Sequence, residues 1–310
     1  MINRRHLRIK IMQILYSQYA ANSKPKELLN ILEERSLKFY LFFINYLVLF
    51  RELKTVFTEK EKIVSKKNFN NNSKLIKELV INNHFLVFLA KSKTLKKIEK
   101  KYENKIWNEN HHLIEALFKK IFESKFFNEF SNKENSIEEQ RVFIISVFKN
   151  FIINDDSIYQ FFEDSELGWV DDFPLVNSLF LNYLKSFTFT KADKIPIKIY
   201  GDKEDKKYAN HLLKIVLKND NELNSLIEKF TPDWENERIA NLDLILIKMC
   251  ISEFMYFPSI PVRVSMNEYV EISKDYSSPE SGKFINGVVN NILKDLTKKN
   301  LLKKNERGSQ

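Results

Sequence analysis

Apolar residues return at helical spacing along most of the chain, and the elements they predict are helices. Leu7, Ile11, Ile14 and Leu15 form a stripe at steps of three and four, continued by Gln18. Residues 4 to about 21 therefore read as a short basic helix that ends before Pro25. From Lys26 to about Asp172 further helices are expected, parted by polar breaks at Asn68-Phe69-Asn70-Asn71-Asn72-Ser73 and Ser131-Asn132-Lys133-Glu134-Asn135-Ser136. The most apolar run, Phe39 to Phe50, lies between Lys38 and Arg51. As a helix it rises only about 18 Å, short of the roughly 30 Å of a bilayer core, so it reads as a buried core helix.

Beyond Gly168 the pattern sharpens. Ala209, Leu212, Leu213 and Val216 share one face of a helix over 208–218, and Leu223, Leu226, Ile227 and Phe230 define the next. An apolar helix from about Arg238 to Tyr256 is stopped by Pro258 and Pro261. Ser265-Met266-Asn267-Glu268 has the form of a capping box, and Ser278-Pro279-Glu280 that of a serine cap followed by a first-turn proline. The last helix is expected to bury Phe284, Ile285, Val288, Val289, Ile292 and Leu296, with a frayed basic tail beyond Lys298.

Composition narrows the class. Only five glycines and seven prolines occur in 310 residues, which disfavours turn-rich all-β and nucleotide-binding α/β folds. The net charge of +9 suits a polyanionic partner, although a lysine-rich surface kept for solubility would show the same value. A single cysteine, Cys250, leaves no intrachain disulfide and no cysteine zinc cluster. The first residues run straight into the amphipathic helix without an apolar signal core, so a cytoplasmic location is expected.

Arg4, Arg5 and Arg8, with His6 and Lys10, open the chain, and no acidic residue precedes Glu27. Arginines anchored on a helix can grip phosphates and stack on unpaired bases, though basic N-termini are common. A second basic run, Lys91 to Lys105, holds seven lysines; it reads either as a phosphate contact or as a solvated face supported by Glu99 and Glu103. In Lys283-Phe284-Ile285-Asn286-Gly287-Val288, a glycine inside a helix implies close approach of a neighbouring helix or ligand. Phe284 is either a stacking platform or a core aromatic. The histidines (His6, His84, His111, His112, His211) show no metal-ligand spacing, and there is no phosphate-binding glycine loop or nucleophile elbow. No catalytic residue, metal or cofactor is expected, and the Asp155-Asp156 and Asp171-Asp172 pairs read as loop and cap residues.

The same segments resemble the NusB family. Arg4-Arg5-His6-Leu7-Arg8 followed by Gln13-Ile14-Leu15-Tyr16 is similar to its arginine-rich opening. Asn241-Leu242-Asp243 through Lys248 to Glu253 resembles its central helix. Pro261-Val262-Arg263-Val264-Ser265-Met266-Asn267-Glu268-Tyr269-Val270-Glu271-Ile272-Ser273-Lys274 and Lys283-Phe284-Ile285-Asn286-Gly287-Val288 are similar to its two signature stretches, in the right order. The chain departs from the family in Leu7 and Ile11, where small residues are usual, and in His6 and Lys248, where arginine is common. The resemblance covers residues 1 to about 21 and about 200 to 297.

The resemblance implies an all-α fold of two packed helical bundles, with a large helical insertion after the first helix. The family-like domain would comprise 1–21 and 171–298, the insertion 22–170, and a disordered tail 299–310. It further implies a transcription antitermination factor that is not an enzyme. Such a factor binds boxA-type single-stranded RNA together with NusE, a small-subunit ribosomal protein, joins the RNA polymerase elongation complex and supports ribosomal RNA transcription. Arg4, Arg5, His6, Arg8, Tyr16, Lys283 and Phe284 would form the RNA face, and Glu253 and Glu280 would serve NusE. RNA methyltransferases that carry a similar domain need a nucleotide-binding domain after the signature, and only 23 residues follow Gly287. The alternative is a helical protein-interaction scaffold that has lost RNA binding.

Overall fold

The computed structural model describes residues 2–21, 25–66, 70–130, 136–166, 168–188, 194–231 and 240–308. Among these residues the regular structure is helical, with a single isolated bridge between Ile2 and Tyr200, and short irregular connections join the helices. The all-α expectation holds. The chain forms two compact units, one of residues 1–36 with 198–310 and the other of residues 37–197. Both junctions fall later than the expected ones at 21/22 and 170/171.

The first unit contains α1 (Arg4–Ala21), the start of α2 (Pro25–Lys66), α12 (Lys203–Lys218), α13 (Asp220–Phe230), α14 (Asn241–Tyr256), α15 (Val262–Tyr276) and α16 (Ser281–Lys298). α14 is its centre. Residues Ile245 to Phe254 are all buried, and α1, α12, α13, α15 and α16 all pack on this helix. A helix apolar on every side belongs inside a bundle. Ahead of α1, Ile2 donates its amide to Ile199 O (2.9 Å) and accepts from Gly201 N (3.0 Å), which pins the start of α1 to the lead-in of α12. A Cβ on Gly201 would lie 2.8 Å from the Asp205 carboxylate, so glycine permits this approach.

The second unit holds the rest of α2 and α3 (Asn70–Ile76), α4 (His84–Lys91), α5 (Lys93–Tyr102), α6 (Ile106–Glu109), α7 (His111–Phe122), α8 (Lys125–Glu129), α9 (Ile137–Val147), α10 (Asp156–Ser165) and α11 (Gly168–Ser186). The run Phe39–Phe50 is buried there, as its composition requires. Its rings build an aromatic core: Phe42 to Phe162 at 4.6 Å, Tyr46 to Phe148 at 5.0 Å and Phe148 to Phe180 at 4.8 Å between centroids. The buried polar handles are satisfied, with Trp107 donating to Asn45 O (2.8 Å) and the Tyr46 hydroxyl to Asn177 Oδ1 (2.5 Å). No helix among the described residues is long and apolar enough to cross a membrane.

Several boundaries differ from the sequence pattern. Asn70–Ser73, expected in a loop, lie in α3, where the Ser73 hydroxyl donates to Glu61 (2.6 Å); Asn68 and Phe69 lie outside the described residues. Of the second break only Ser136 is described, and it caps α9 in a full capping box with Glu139. Pro25 opens α2 as its first residue, where its missing N–H costs nothing. α14 is described from Asn241, so the expected start at Arg238 lies outside the described residues. α16 begins at Ser281, one short turn after Ser278, whose hydroxyl bonds that of Ser281 (2.8 Å).

Candidate nucleic-acid interface

α1 begins with a side-chain cap. Asn3 Oδ1 accepts from the His6 amide (3.0 Å), and His6 Nδ1 accepts from the Asn3 amide (3.3 Å). From His6 to Met12 every residue is buried, the polar ones included. Only the first turn and the stretch from Gln13 onward reach solvent, so the expected row of exposed arginines is reduced to its first two members. Burial, followed by the charges of Arg5, the N-terminus and Lys10, lowers the His6 imidazole to a pKa of about 4. His6 is thus neutral at pH 7 and offers no cation to a phosphate.

Arg8 points inward. Its Nε and Nη2 donate to the two Glu253 oxygens at 2.8 and 3.0 Å, and Nη1 donates to Glu268 at 3.3 Å. The guanidinium also lies 5.6 Å from the ring centres of both Tyr208 and Tyr269. Glu253 has no exposed surface and further accepts from Ser265 (2.6 Å), Tyr269 (2.7 Å) and Tyr208. Burial pushes its carboxyl up, but the Arg8 charge and the donated hydrogen bonds outweigh burial and hold it below the ordinary carboxylate value. Burial, and then the Glu253 charge, raises both tyrosines well above theirs. Each buried polar group in this cluster is paired, which is the condition for a buried ion pair to be tolerated.

This cluster corrects three expectations. Glu253 does not face a partner; it is the internal anchor of α1. Arg8 is withdrawn from any RNA surface. Ser265 and Glu268 form no capping box, because α15 already begins at Val262 after Pro261, and both side chains are committed to the Arg8–Glu253 pair. The sequence reading missed Tyr208 and Tyr269. The signal available was Glu253 itself, a carboxylate inside an apolar helix that must find donors.

The remaining candidates reach solvent. Arg4 is a third exposed, ion-paired to Asp205 (3.2 Å) and set over the Tyr208 ring at 5.1 Å. Arg5 is more open and only loosely held, 4.0 Å from Asp275 at the end of α15. Tyr16 is 53% exposed. Eleven residues separate Arg5 and Tyr16, close to three helical turns, so they share a face about 16 Å apart. On α16, Lys283 and Glu280 are fully open, 4.0 Å from one another, and Phe284 is half-buried rather than part of the core.

Arg5 and the start of α16 each touch the C-terminal part of α15, at different residues. Arg5 reaches Asp275 and also depresses the pKa of Glu271, after the nearer Lys274. From α16, Gly282 sits so close that a Cβ there would lie 3.6–3.8 Å from Ser273, Val270 and Lys274. α16 packs on α15 and α14, and α1 on α12 and α14. Gly287 has open space where a Cβ would stand, so no neighbouring helix accounts for it. The tail is ordered in part. Lys304 donates to the carbonyls of Glu253, Phe257 and Ile260 at 2.9–3.0 Å, closing the C-terminal end of α14.

A family model described as the NusB family matches residues 177–294, which leaves α1 outside the match. The transcription antitermination protein NusB of Salinibacter ruber is 41% identical over 107 residues, covering 34% of this chain and 67% of that protein. The protein of the same name from Acetivibrio thermocellus is 39% identical over 93 residues (30% of this chain, 64% of that protein), and that from Methylacidiphilum infernorum 37% over 98 residues (32% and 68%). The chain thus spans about two thirds of the length of these relatives, and less of some others. No solved structure matches it significantly. With its helical fold and the match over residues 177–294, the chain belongs to the NusB family.

Proposed function

We propose that this protein is a transcription antitermination factor that binds boxA-type single-stranded RNA jointly with NusE, joins the RNA polymerase elongation complex and supports ribosomal RNA transcription. The observation that carries the reading is that Arg5 and the first turn of α16, which bears Lys283 and Phe284, both lie against the C-terminal part of α15. There an exposed guanidinium, an open ammonium and a half-buried ring lie on a rigid bundle. Arginine and lysine can neutralise phosphates, and Phe284 and Tyr16 offer faces for unpaired bases. Arg4 adds charge at the edge. Arg8, His6 and Glu253 act from inside, by fixing α1.

NusE would use the exposed side of the same region, with Glu280 as its charged contact. Two modest surfaces engaging one RNA make the second contact effectively intramolecular, so binding is expected to be weak alone and tighter with NusE. Filter binding of boxA RNA against a scrambled sequence, with and without NusE, tests this. A boxA preference that strengthens with NusE supports the reading. NusE binding without any RNA preference would favour the scaffold alternative.

A further inference from the structure

We infer that the second unit carries its own site for the phosphate backbone of single-stranded RNA, in the lysine-lined groove between α5 and the turn leading into α6. This rests on the RNA-binding reading above and extends the footprint to a part of the chain outside the family match.

The groove has a volume of about 630 Å³ and is lined by the Arg51–Glu99 pair, by Lys96, Lys100 and Lys105, and by Glu103 and Asn104. Leu95 and Ile98 anchor α5 in the unit, so Lys93, Lys96, Lys97, Lys100 and Lys101 are held outward on a fixed helix. Lys93 to Lys101 spans about 12 Å along the axis.

The charge is only partly compensated: with Arg51 and Glu99 paired to one another, Glu103 faces Lys96, Lys100 and Lys105 in the lining. Glu99, one of the two carboxylates expected to balance these lysines, is taken by Arg51, whose Nη2 donates to it at 2.8 Å while Nη1 bonds its other oxygen. Glu52 is bound to the same arginine. Among the described residues, none of these α5 lysines, nor Lys105, forms an ion pair. Lys93 with Lys97, Lys96 with Lys100 and Lys97 with Lys101 are like-charged pairs four apart, an arrangement that destabilises an isolated helix. Nearby Lys54 has its pKa lowered by burial and then by Lys91, a sign of the same crowding. An ordinary solvated face intersperses carboxylates. Here Glu99 and Glu52 are drawn down to Arg51, and Glu103 alone stands among the groove's lysines, leaving a net cationic rim with the Asn104 and Asn108 amides beside it. A concave cationic track with neutral amides fits a flexible polyanion that also presents base edges.

The test uses the full chain and three proteins: wild type, the Lys96→Gln/Lys97→Gln/Lys100→Gln triple variant, and the matching Lys→Arg triple variant. The probes are a short RNA carrying only boxA and the same RNA extended by unstructured flanks. All three positions are exposed, and circular dichroism checks the fold. The Gln variant is expected to bind the short RNA unchanged. On the extended RNA its log–log salt slope should shrink by about 2, three contacts at roughly 0.7 each, with the Arg variant behaving as wild type.

Equal slopes and affinities for wild type and Gln variant on the extended RNA would overturn the site, while intact short-RNA binding would leave the boxA reading standing. A Gln defect on extended RNA with no short-RNA binding by any protein would support the groove and remove the boxA reading. Competition by polyglutamate as strong as that by the extended RNA would overturn the assignment in favour of an acidic protein partner.

Discussion

Replacing Arg8 by methionine keeps much of the side-chain bulk but leaves Glu253 fully buried without its cation. Removing one partner of a buried pair costs about 3–5 kcal/mol. Glu253 retains three hydroxyl donors, Ser265, Tyr208 and Tyr269, so the lower end is expected, about 3 kcal/mol. Glu253→Gln should cost less, because the amide oxygen still accepts and Arg8 keeps Glu268 at 3.3 Å. In the Glu253→Gln background the Arg8→Met change should then cost only about 1 kcal/mol, a coupling of roughly 2 kcal/mol. Native-state hydrogen exchange of α14 amides reads the stability of this unit directly. The deficit of Arg8→Met should also narrow as pH falls. Without Arg8, burial raises the Glu253 pKa above its unfolded value, and protonation relieves the buried charge. Meanwhile wild type, whose Glu253 pKa is lowered, loses stability as pH falls through it. A cost below 1 kcal/mol, or additive variants, would refute the claim that this pair anchors α1.

Other outcomes follow from the same geometry. His6, lowered from 6.5 to about 4, contributes no penalty above pH 6.5; below it the unfolded chain takes up a proton that the fold resists, so stability falls by about 2 kcal/mol by pH 5. Comparing pH 7 and pH 5 melts of wild type and His6→Gln checks this, the variant being flatter. Lys304→Met should cost about 1–2 kcal/mol by uncovering three carbonyls, measured as faster exchange at the end of α14; no change would mean the tail contact is idle. Phe284→Ala should weaken RNA binding by about 1–3 kcal/mol while the melting temperature holds, since the ring is only half-buried. A large drop in stability instead would return Phe284 to the core.

Periodicity alone revealed the helices, the buried run Phe39–Phe50 and the apolar face of α16, because burial repeats at the helical period whatever the partner. It could not reveal the use made of polar residues. Ser265 and Glu268 stand three apart, as a capping box does, yet their partners are Glu253 and Arg8, 12 and 260 residues away in the chain. Arg8 follows Arg4 by one helical turn and reads as the same surface, but α1 is buried at that point. A local pattern specifies spacing; which side faces the core depends on helices remote in sequence. Phe284 carried both readings for the same reason, and the structure leaves its ring at the boundary. Lys304 belonged to a tail with no apolar pattern, so its docking on three carbonyls left no trace in periodicity.

The most direct test is photo-crosslinking of boxA RNA to the full chain, with the attachment points mapped by mass spectrometry. Crosslinks at Tyr16 and in the Lys283–Phe284 turn are predicted, and they should fade in Arg5→Ala. Attachment elsewhere only, with both of those segments unmodified, would contradict the assignment of this surface to RNA.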